Sequence, residues 1–280
     1  MCIRDRHWSD YILGAVRLAK EQNYLSGGAD IAVETNLPLG AGISSSAAIT
    51  VGVLKLLRDQ AGVNVTDKEV ALLARRVENE FIGVPCGIMD QMAVALATPH
   101  QALALNSQTL EYRLIDLPND YHMAVIHSGV YRQLNEGRYK ERKEECDRVK
   151  NKLSHDNICQ ISDEDFNLLS DLDPLLQRRA KHCMTEHRRT LKAIDCLQSG
   201  DIKQFGQLMI ESHISMRDDF EITRPEIDRL VEDAIRFGAL GARLTGGGFG
   251  GCIVAAVPKS KLKTWTETLL AKHSAAFAVA

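Results

Sequence analysis

The sequence predicts an α+β protein in two parts, and three observations lead there. Apolar residues recur at helical spacing over long stretches, as at Ala48, Val51, Leu54 and Leu57. Between the helical stretches lie short apolar runs that read as strands: Ala29–Thr35, Gln101–Asn106, Leu110–Ile115, Met123–Ser128 and Ile253–Val257. The turn signal Leu117-Pro118-Asn119-Asp120 then suggests a boundary, dividing the chain into residues 7–120 and 121–280.

The elements follow in order. Trp8–Gln22 is expected as an amphipathic helix, with Tyr11, Ile12, Val16 and Leu18 free to pack. The strand Ala29–Thr35 runs into a glycine-serine loop, and a helix over Ala47–Arg58 follows. Thr66 opens the next helix, with Glu69 three residues on as a capping box, and Glu78, Asn79 and Glu80 stand at its far end. Pro85 and Gly87 interrupt the chain before a short apolar helix, Ile88–Ala95, in which Met89, Met92, Ala93 and Ala95 are expected to pack. After three strands, Arg138–Leu153 is a charged helix whose run Lys140–Glu145 reads as a solvated face. Ser154–Pro174 is expected to be a polar surface connection containing a short helix. Helices over Gln177–Gln198, Asp201–Met216, Ile227–Phe237 and Ser260–Lys272 fill most of the remainder, with a last strand at Ala275–Val279.

Composition narrows the function classes. The 280 residues carry 34 basic and 37 acidic side chains, for a net charge of −3, and no basic tract. Nucleic-acid and membrane-surface binding therefore have no support. No apolar run reaches the ~18–20 residues of a membrane helix. The seven cysteines are scattered without a C-x-x-C pair, which argues against a zinc site. Their odd number, with no signal peptide, favours reduced thiols and a cytoplasmic location.

Three stretches carry the chemistry. The first is Leu37-Pro38-Leu39-Gly40-Ala41-Gly42-Ile43-Ser44-Ser45-Ser46-Ala47-Ala48. Glycines let backbone N–H groups approach a ligand, while serine hydroxyls and a helix N-terminus add donors and a positive dipole end. That combination suits a polyphosphate. It is not a P-loop, because no Gly-Lys-Ser/Thr follows, nor a dinucleotide fingerprint, because serines replace the later glycine. The second stretch is Gly83-Val84-Pro85-Cys86-Gly87-Ile88-Met89-Asp90-Gln91. Asp90 there has two readings: a first-turn carboxylate complementing the helix dipole, or a partly buried catalytic carboxylate. The third is Arg243-Leu244-Thr245-Gly246-Gly247-Gly248-Phe249-Gly250-Gly251-Cys252, with five glycines in six positions. Glycine packs nothing and costs entropy, so this run implies a backbone path that only glycine tolerates.

Together these three stretches resemble galactokinases of the GHMP small-molecule kinases. Supporting stretches run through Arg178–His182, Phe205–Met209, Ser212-His213 and Arg217–Glu221. The resemblance extends from about Trp8 to near the C-terminus. It implies a GHMP kinase fold, with an N-terminal ATP-binding domain of the ribosomal-S5 type, a mixed sheet with helices on one face, and a ferredoxin-like C-terminal domain. The implied activity is ATP-dependent phosphorylation of the C1 hydroxyl of D-galactose, with ATP and Mg²⁺ required.

The resemblance also implies roles for individual residues. Pro38, Leu39, Gly40, Ala41, Gly42, Ile43, Ser44, Ser45, Ser46 and Ala47, with Gly246, Gly247 and Gly248, would bind ATP and its phosphates. Ser46 and Glu78 would hold the metal. Asp90 would accept or orient the sugar proton, and Gly87, Asp90 and Tyr139 would contact the sugar. Glu34 and Glu80 are expected to be solvated or paired, Cys86 to be a packing residue, and His182 and His213 to be hydrogen-bonded on their helices.

The chain departs from these relatives in places. Galactokinases carry a first segment ending in G-R-x-N-L-x-G-E-H-x-D-Y, absent here, so the sequence is expected to be truncated at its N-terminus. Ile126–Arg132 differs from the usual S-N-V-basic-H, with Tyr131 where a basic residue is common. Two alternatives stay open: another GHMP sugar kinase acting on a uronic or N-acetylated sugar, and a non-catalytic galactose and ATP sensor. The intact Ser46-Ala47 pair and Asp90 speak against the sensor. The partners expected are the sugar and ATP, with no nucleic acid, no membrane and a monomeric state.

Overall fold

The computed structural model describes residues 7–37, 42–84, 86–131, 137–162 and 164–279. By its internal packing the chain divides into two units, one of Met1–Leu37 and Ser44–Asp116, the other of Pro38–Ile43 and Leu117–Ala280.

The first unit is mainly helical. Helices α1 (Ser9–Glu21), α2 (Ser45–Ala61), α3 (Asp67–Arg76) and α4 (Met89–Leu96) precede an antiparallel hairpin of β1 (Gln101–Leu105) and β2 (Tyr112–Asp116). Leu18, Val51, Leu54, Leu57, Val70, Leu73, Val77 and Met92 close its core. Each recurs at helical spacing within its element, which is why these stretches fold as helices. The capping box is present: Thr66 accepts from the Glu69 amide while the Glu69 carboxylate takes the Thr66 amide. The helical ladder does not stop at Arg76. It loosens into a π-helical turn, Val77–Ile82, which ends at Gly83 in the left-handed region with φ +77°.

Two expectations for this unit need correction. Ala29–Thr35 is not a strand, and the described sheet of the unit is the β1–β2 hairpin rather than a larger mixed sheet. The β-branched residues Ile31 and Val33 favour extension, but a strand also needs a ladder partner, and none of the described residues provides one. Met89 is the second: it is 55% exposed rather than packed, because the buried side of the short helix is taken by Ile88, Gln91, Met92 and Ala95.

The second unit holds a four-stranded antiparallel sheet in the order β4 (Gly241–Leu244), β5 (Cys252–Pro258), β3 (Tyr121–His127), β6 (Phe277–Ala278). The central pair is registered Ala124↔Ala255. The sequence does not predict β4, whose residues read as part of the glycine-rich stretch. Helices α8 (Pro225–Arg236) and α9 (Leu262–Lys272) place Ile227, Leu230, Trp265 and Leu269 in one core with Ala124, Ile126, Ala255 and Val257. Small residues are required where α7 (Ile202–Asp218) crosses β4. A Cβ on Gly241 would stand 2.0 Å from the Gly206 carbonyl oxygen. The α+β class thus holds in both units.

A separate core joins α5 (Arg138–Leu153) to α6 (Pro174–Ser199) through Val149, Leu176, Ala180 and Met184. It also buries Ile158, Ile161, Leu169 and Leu172, so the stretch expected as a surface connection helps close this core. The charged run on α5 is likewise only partly solvated. Glu145 is 2% exposed and accepts from the fully buried Arg179 at 2.7 Å. Arg142 also reaches Glu145, at 2.8 Å. Glu80 pairs with Arg76 at 2.9 Å, and His213 Nδ1 on α7 accepts from the Leu244 amide, in line with the sequence reading.

His182 on α6 is buried, hydrogen-bonded to Ser215 Oγ at 2.9 Å and stacked on Phe220. Burial disfavours its charged form and brings its pKa down to about 4. The unfolded chain takes up this proton near pH 6.5 and the native chain does not, so stability is lost as pH falls from about 6.5 toward 4. His182→Gln keeps the polar contact without titrating. Between pH 7.5 and pH 5, the variant is expected to lose roughly 2 kcal/mol less stability than the parent, read by urea unfolding at both pH values.

Candidate active site

The first unit gathers a buried polar cluster from three elements. Helix α2 brings Ser46, the π-helical turn brings Glu78, and α4 brings Gln91. Ser46 Oγ donates to Glu78 Oε2 at 3.2 Å. Gln91 Nε2 donates to Glu78 Oε1 at 2.7 Å. Both carboxylate oxygens are therefore held. Glu78 and Gln91 are buried, at 6% and 1% exposure. Asn79 Oδ1 accepts from the Cys86 amide at 2.8 Å and so ties the loop before α4 to the π-helical turn. A π-turn shifts the direction of the residues within it, and such turns recur at functional sites.

Among the described residues no cation pairs with Glu78. Burial raises its pKa above the ordinary carboxylate value; the Gln91 and Ser46 hydrogen bonds oppose that rise, and the charge of Asp90 adds to it. A buried carboxylate flanked by a hydroxyl and lacking a cationic side chain is a fitting pair of hard oxygen donors for Mg²⁺. Glu78→Gln removes the buried charge while keeping the shape. It is expected to raise the unfolding midpoint of the ligand-free chain by about 2–4 °C, the shift equivalent to roughly 1 kcal/mol, and to abolish stabilisation by added metal and nucleotide. Thermal scans with and without Mg²⁺ and a non-hydrolysable ATP analogue check both parts.

The start of α2 is prepared for an anion. Ser44 precedes it in the left-handed region, φ +62°, and Gly42 before it has φ +69°. The Ser44 side chain makes no cap hydrogen bond to this helix among the described residues, and the first turn has no acidic residue. The amides of Ser45, Ser46 and Ala47 find no acceptor among the described residues. Open N–H groups at the positive end of a helix dipole form an anion site. Ile43 precedes Ser44 in this turn, whereas Pro38, Leu39, Gly40 and Ala41 lie outside the described residues.

Asp90 sits in the first turn of α4, half-buried, and no donor or cation among the described residues engages its carboxylate. It lies close enough to Glu78 for their charges to repel. Gly87, just before α4, is exposed, and a Cβ there would meet nothing within 4 Å. The fold itself thus gives no reason for glycine at this position. Cys86 is half-buried beside Gln91, and burial pushes its thiol pKa up, as suits a packing residue rather than a nucleophile.

In the second unit the glycine-rich stretch forms a tight turn between β4 and β5. The Thr245 amide donates to the Cys252 carbonyl at 2.9 Å and closes its base. Gly246, Gly248, Gly250 and Gly251 have positive φ. Gly248 is needed for a second reason: a Cβ there would stand 2.8 Å from Ile222. The amides of Gly246, Gly247 and Gly248 have no acceptor among the described residues, a second set of open donors. Tyr139 opens α5 and is 59% exposed. His127, fully buried, stacks on Phe277 and contacts the exposed Tyr131, in the stretch that departs from the galactokinase pattern.

Sequence reasoning named Ser46, Glu78 and Asp90 but gave no role to Gln91 or Asn79. Gln91 stands in the second motif directly after Asp90. Only the path of α4 past the π-helical turn shows that its amide reaches Glu78.

Comparisons with known proteins bear on the family of the chain. Residues 10–98 match the GHMP kinases N terminal domain and residues 193–269 match GHMP kinases C terminal. The chain is similar to a galactokinase of Lactococcus lactis, crystallised with galactose, at 30% identity and TM-score 0.86, covering 97% of this chain and 74% of that one. It shares its fold with a mevalonate kinase of Methanococcus jannaschii, at 22% identity and TM-score 0.65, covering 99% of this chain and 75% of that one. The same holds for a homoserine kinase of Cytophaga hutchinsonii, at 16% identity and TM-score 0.63, covering 97% and 75%. Both domain matches and the structural likeness place this chain among the GHMP kinases, a family of phosphotransferases.

Proposed function

We propose that the protein is a galactokinase, transferring the γ-phosphoryl group of ATP to the C1 hydroxyl of D-galactose. The observation that carries this reading is the likeness to a galactokinase crystallised with galactose, closer in both identity and shape than that to the mevalonate and homoserine kinases. The geometry of the first unit supports it.

Phosphoryl transfer depends mainly on positioning and on stabilising charge. In this reading the open amides at the start of α2, with Ser44 and Ser45, hold the ATP phosphates; Pro38–Ile43 and Gly246–Gly248 complete the nucleotide contacts. Ser46 Oγ and Glu78 hold Mg²⁺, which neutralises phosphate charge when bound. Asp90, half-buried and unpaired among the described residues, takes the C1 hydroxyl proton or orients that hydroxyl for attack. Gly87 and Tyr139 contact the sugar.

Gly87→Ala tests the sugar subsite. Because the added methyl meets open space within the fold, the unfolding midpoint is expected to stay within about 0.5 kcal/mol of the parent while the KM for galactose rises several-fold. An unchanged KM would remove Gly87 from the sugar contacts.

The reaction itself is tested by ADP release with Mg-ATP and a sugar panel. Galactose-dependent turnover supports the proposal. Turnover only with a uronic or N-acetylated sugar would keep the chemistry and change the substrate, the second reading favoured by the Tyr131 departure beside His127. Binding of galactose and ATP without turnover would indicate a sensor. No helix among the described residues is long and apolar enough to cross a membrane.

A further inference from the structure

Cys146 on α5, Cys183 on α6 and Cys159 in the 3₁₀ turn Ile158–Gln160 lie outside the candidate active site. Cys146 and Cys183 pack against one core. All three thiols are free and half-buried. The sulfurs of Cys146 and Cys183 are 3.9 Å apart although the residues are 37 positions apart in sequence. Cys159 lies within electrostatic range of both.

We propose that Cys146 and Cys183 form a peroxide-responsive thiol pair that closes a reversible disulfide between α5 and α6. A disulfide bond is ~2.05 Å long, so the sulfurs must approach by about 2 Å, a distance that rotation of two cysteine side chains on packed helices can supply. Partial exposure gives access to an oxidant as small as hydrogen peroxide.

The geometry also orders the steps. Either thiol can donate to the other sulfur; Lys150, one helical turn beyond Cys146, favours the Cys146 thiolate, against burial and the Asp147 and Glu145 carboxylates. Cys146 is therefore the attacking sulfur. Its thiolate attacks one peroxide oxygen, the O–O bond breaks, and hydroxide leaves and takes up a proton as water. The sulfur is oxidised by two electrons to a sulfenic acid and the peroxide is reduced. The Cys183 sulfur then attacks the sulfenic sulfur and the S–O bond breaks. The departing hydroxide leaves as water with the Cys183 proton, and the S–S bond forms. Thiol–disulfide exchange with dithiothreitol returns both thiols.

Cys159, whose thiol pKa burial pushes up, is the competing partner. The test is graded hydrogen peroxide on the full chain, digestion without reduction, and mass spectrometry. The expected product is a Cys146–Cys183 linked peptide pair, lighter by two hydrogens than the separate peptides and abolished by dithiothreitol. In Cys183→Ala the Cys146 sulfenic acid is expected to persist and be captured by dimedone. Cys159→Ala should leave the 146–183 link intact. Absence of the link in the parent, a link running instead through Cys159, or its loss in Cys159→Ala overturns the proposal. None of these readouts depends on kinase activity, so the pair and the galactokinase reading stand or fall separately.

Discussion

Asp90→Ala is expected to lower kcat for sugar phosphorylation at least ~100-fold relative to the parent, since a positioned general base contributes ~10²–10⁴-fold. The carboxylate has no partner to lose among the described residues, so its removal leaves no buried group unsatisfied. The unfolding midpoint should remain close to the parental value, which separates a catalytic effect from a folding one. Asp90→Asn sharpens the result. The amide can still orient a hydroxyl but cannot take its proton. An Asn variant as slow as the Ala variant identifies proton transfer; one that recovers most of the rate identifies orientation. If both variants turn over near the parental rate, Asp90 has no part in the mechanism, and its position reduces to a first-turn carboxylate complementing the dipole of α4.

The largest expected stability effect lies away from that site. Arg179 is fully buried, and its guanidinium donates to Glu145 at 2.7 Å, to the Asp219 carbonyl at 2.7 Å and to Glu221 at 2.6 Å. Removing one partner of a buried pair leaves an uncompensated charge and costs about 3–5 kcal/mol. Arg179→Leu is expected near the lower end of that range, because Arg142 still faces Glu145 at 2.8 Å. The shift is read as a fall in the urea midpoint at unchanged slope. A double variant, Arg179→Leu with Glu145→Leu, should recover part of the loss, because a well-packed apolar pair often replaces a buried ion pair without penalty. A double variant less stable than the single one would show that the charges do more than neutralise each other.

Helices are more legible in the sequence than strands or burial. α3 and its capping box depend on residues three and four apart, and Thr66 and Glu69 are close in any helix that starts there. The boundaries of α5 were legible for the same local reason. The strand expected at Ala29–Thr35 failed because a ladder is a property of two segments, and Ile31 and Val33 describe only one. β4 was hidden because Gly241 and Ala242 have little strand character of their own; pairing with β5 and the close approach of α7 make it a strand. Charge alone predicts a solvated Glu145, because its partner Arg179 is supplied by another helix, 34 residues away.

The same division runs through the candidate site. Residue types and their spacing fix the chemistry available: a glycine-serine turn at a helix start, a carboxylate at Glu78, another at Asp90, and a glycine-rich turn near the C-terminus. Those are local matters of backbone freedom, donor type and charge. Packing between elements is what lets Gln91 and Ser46 each hold one oxygen of Glu78, leaves Asp90 unpaired among the described residues, and puts no cation among those residues against the buried carboxylate. Those facts depend on how α2, the π-helical turn and α4 pack, because hydrogen bonding and desolvation act across space while sequence spacing fixes geometry only along one element.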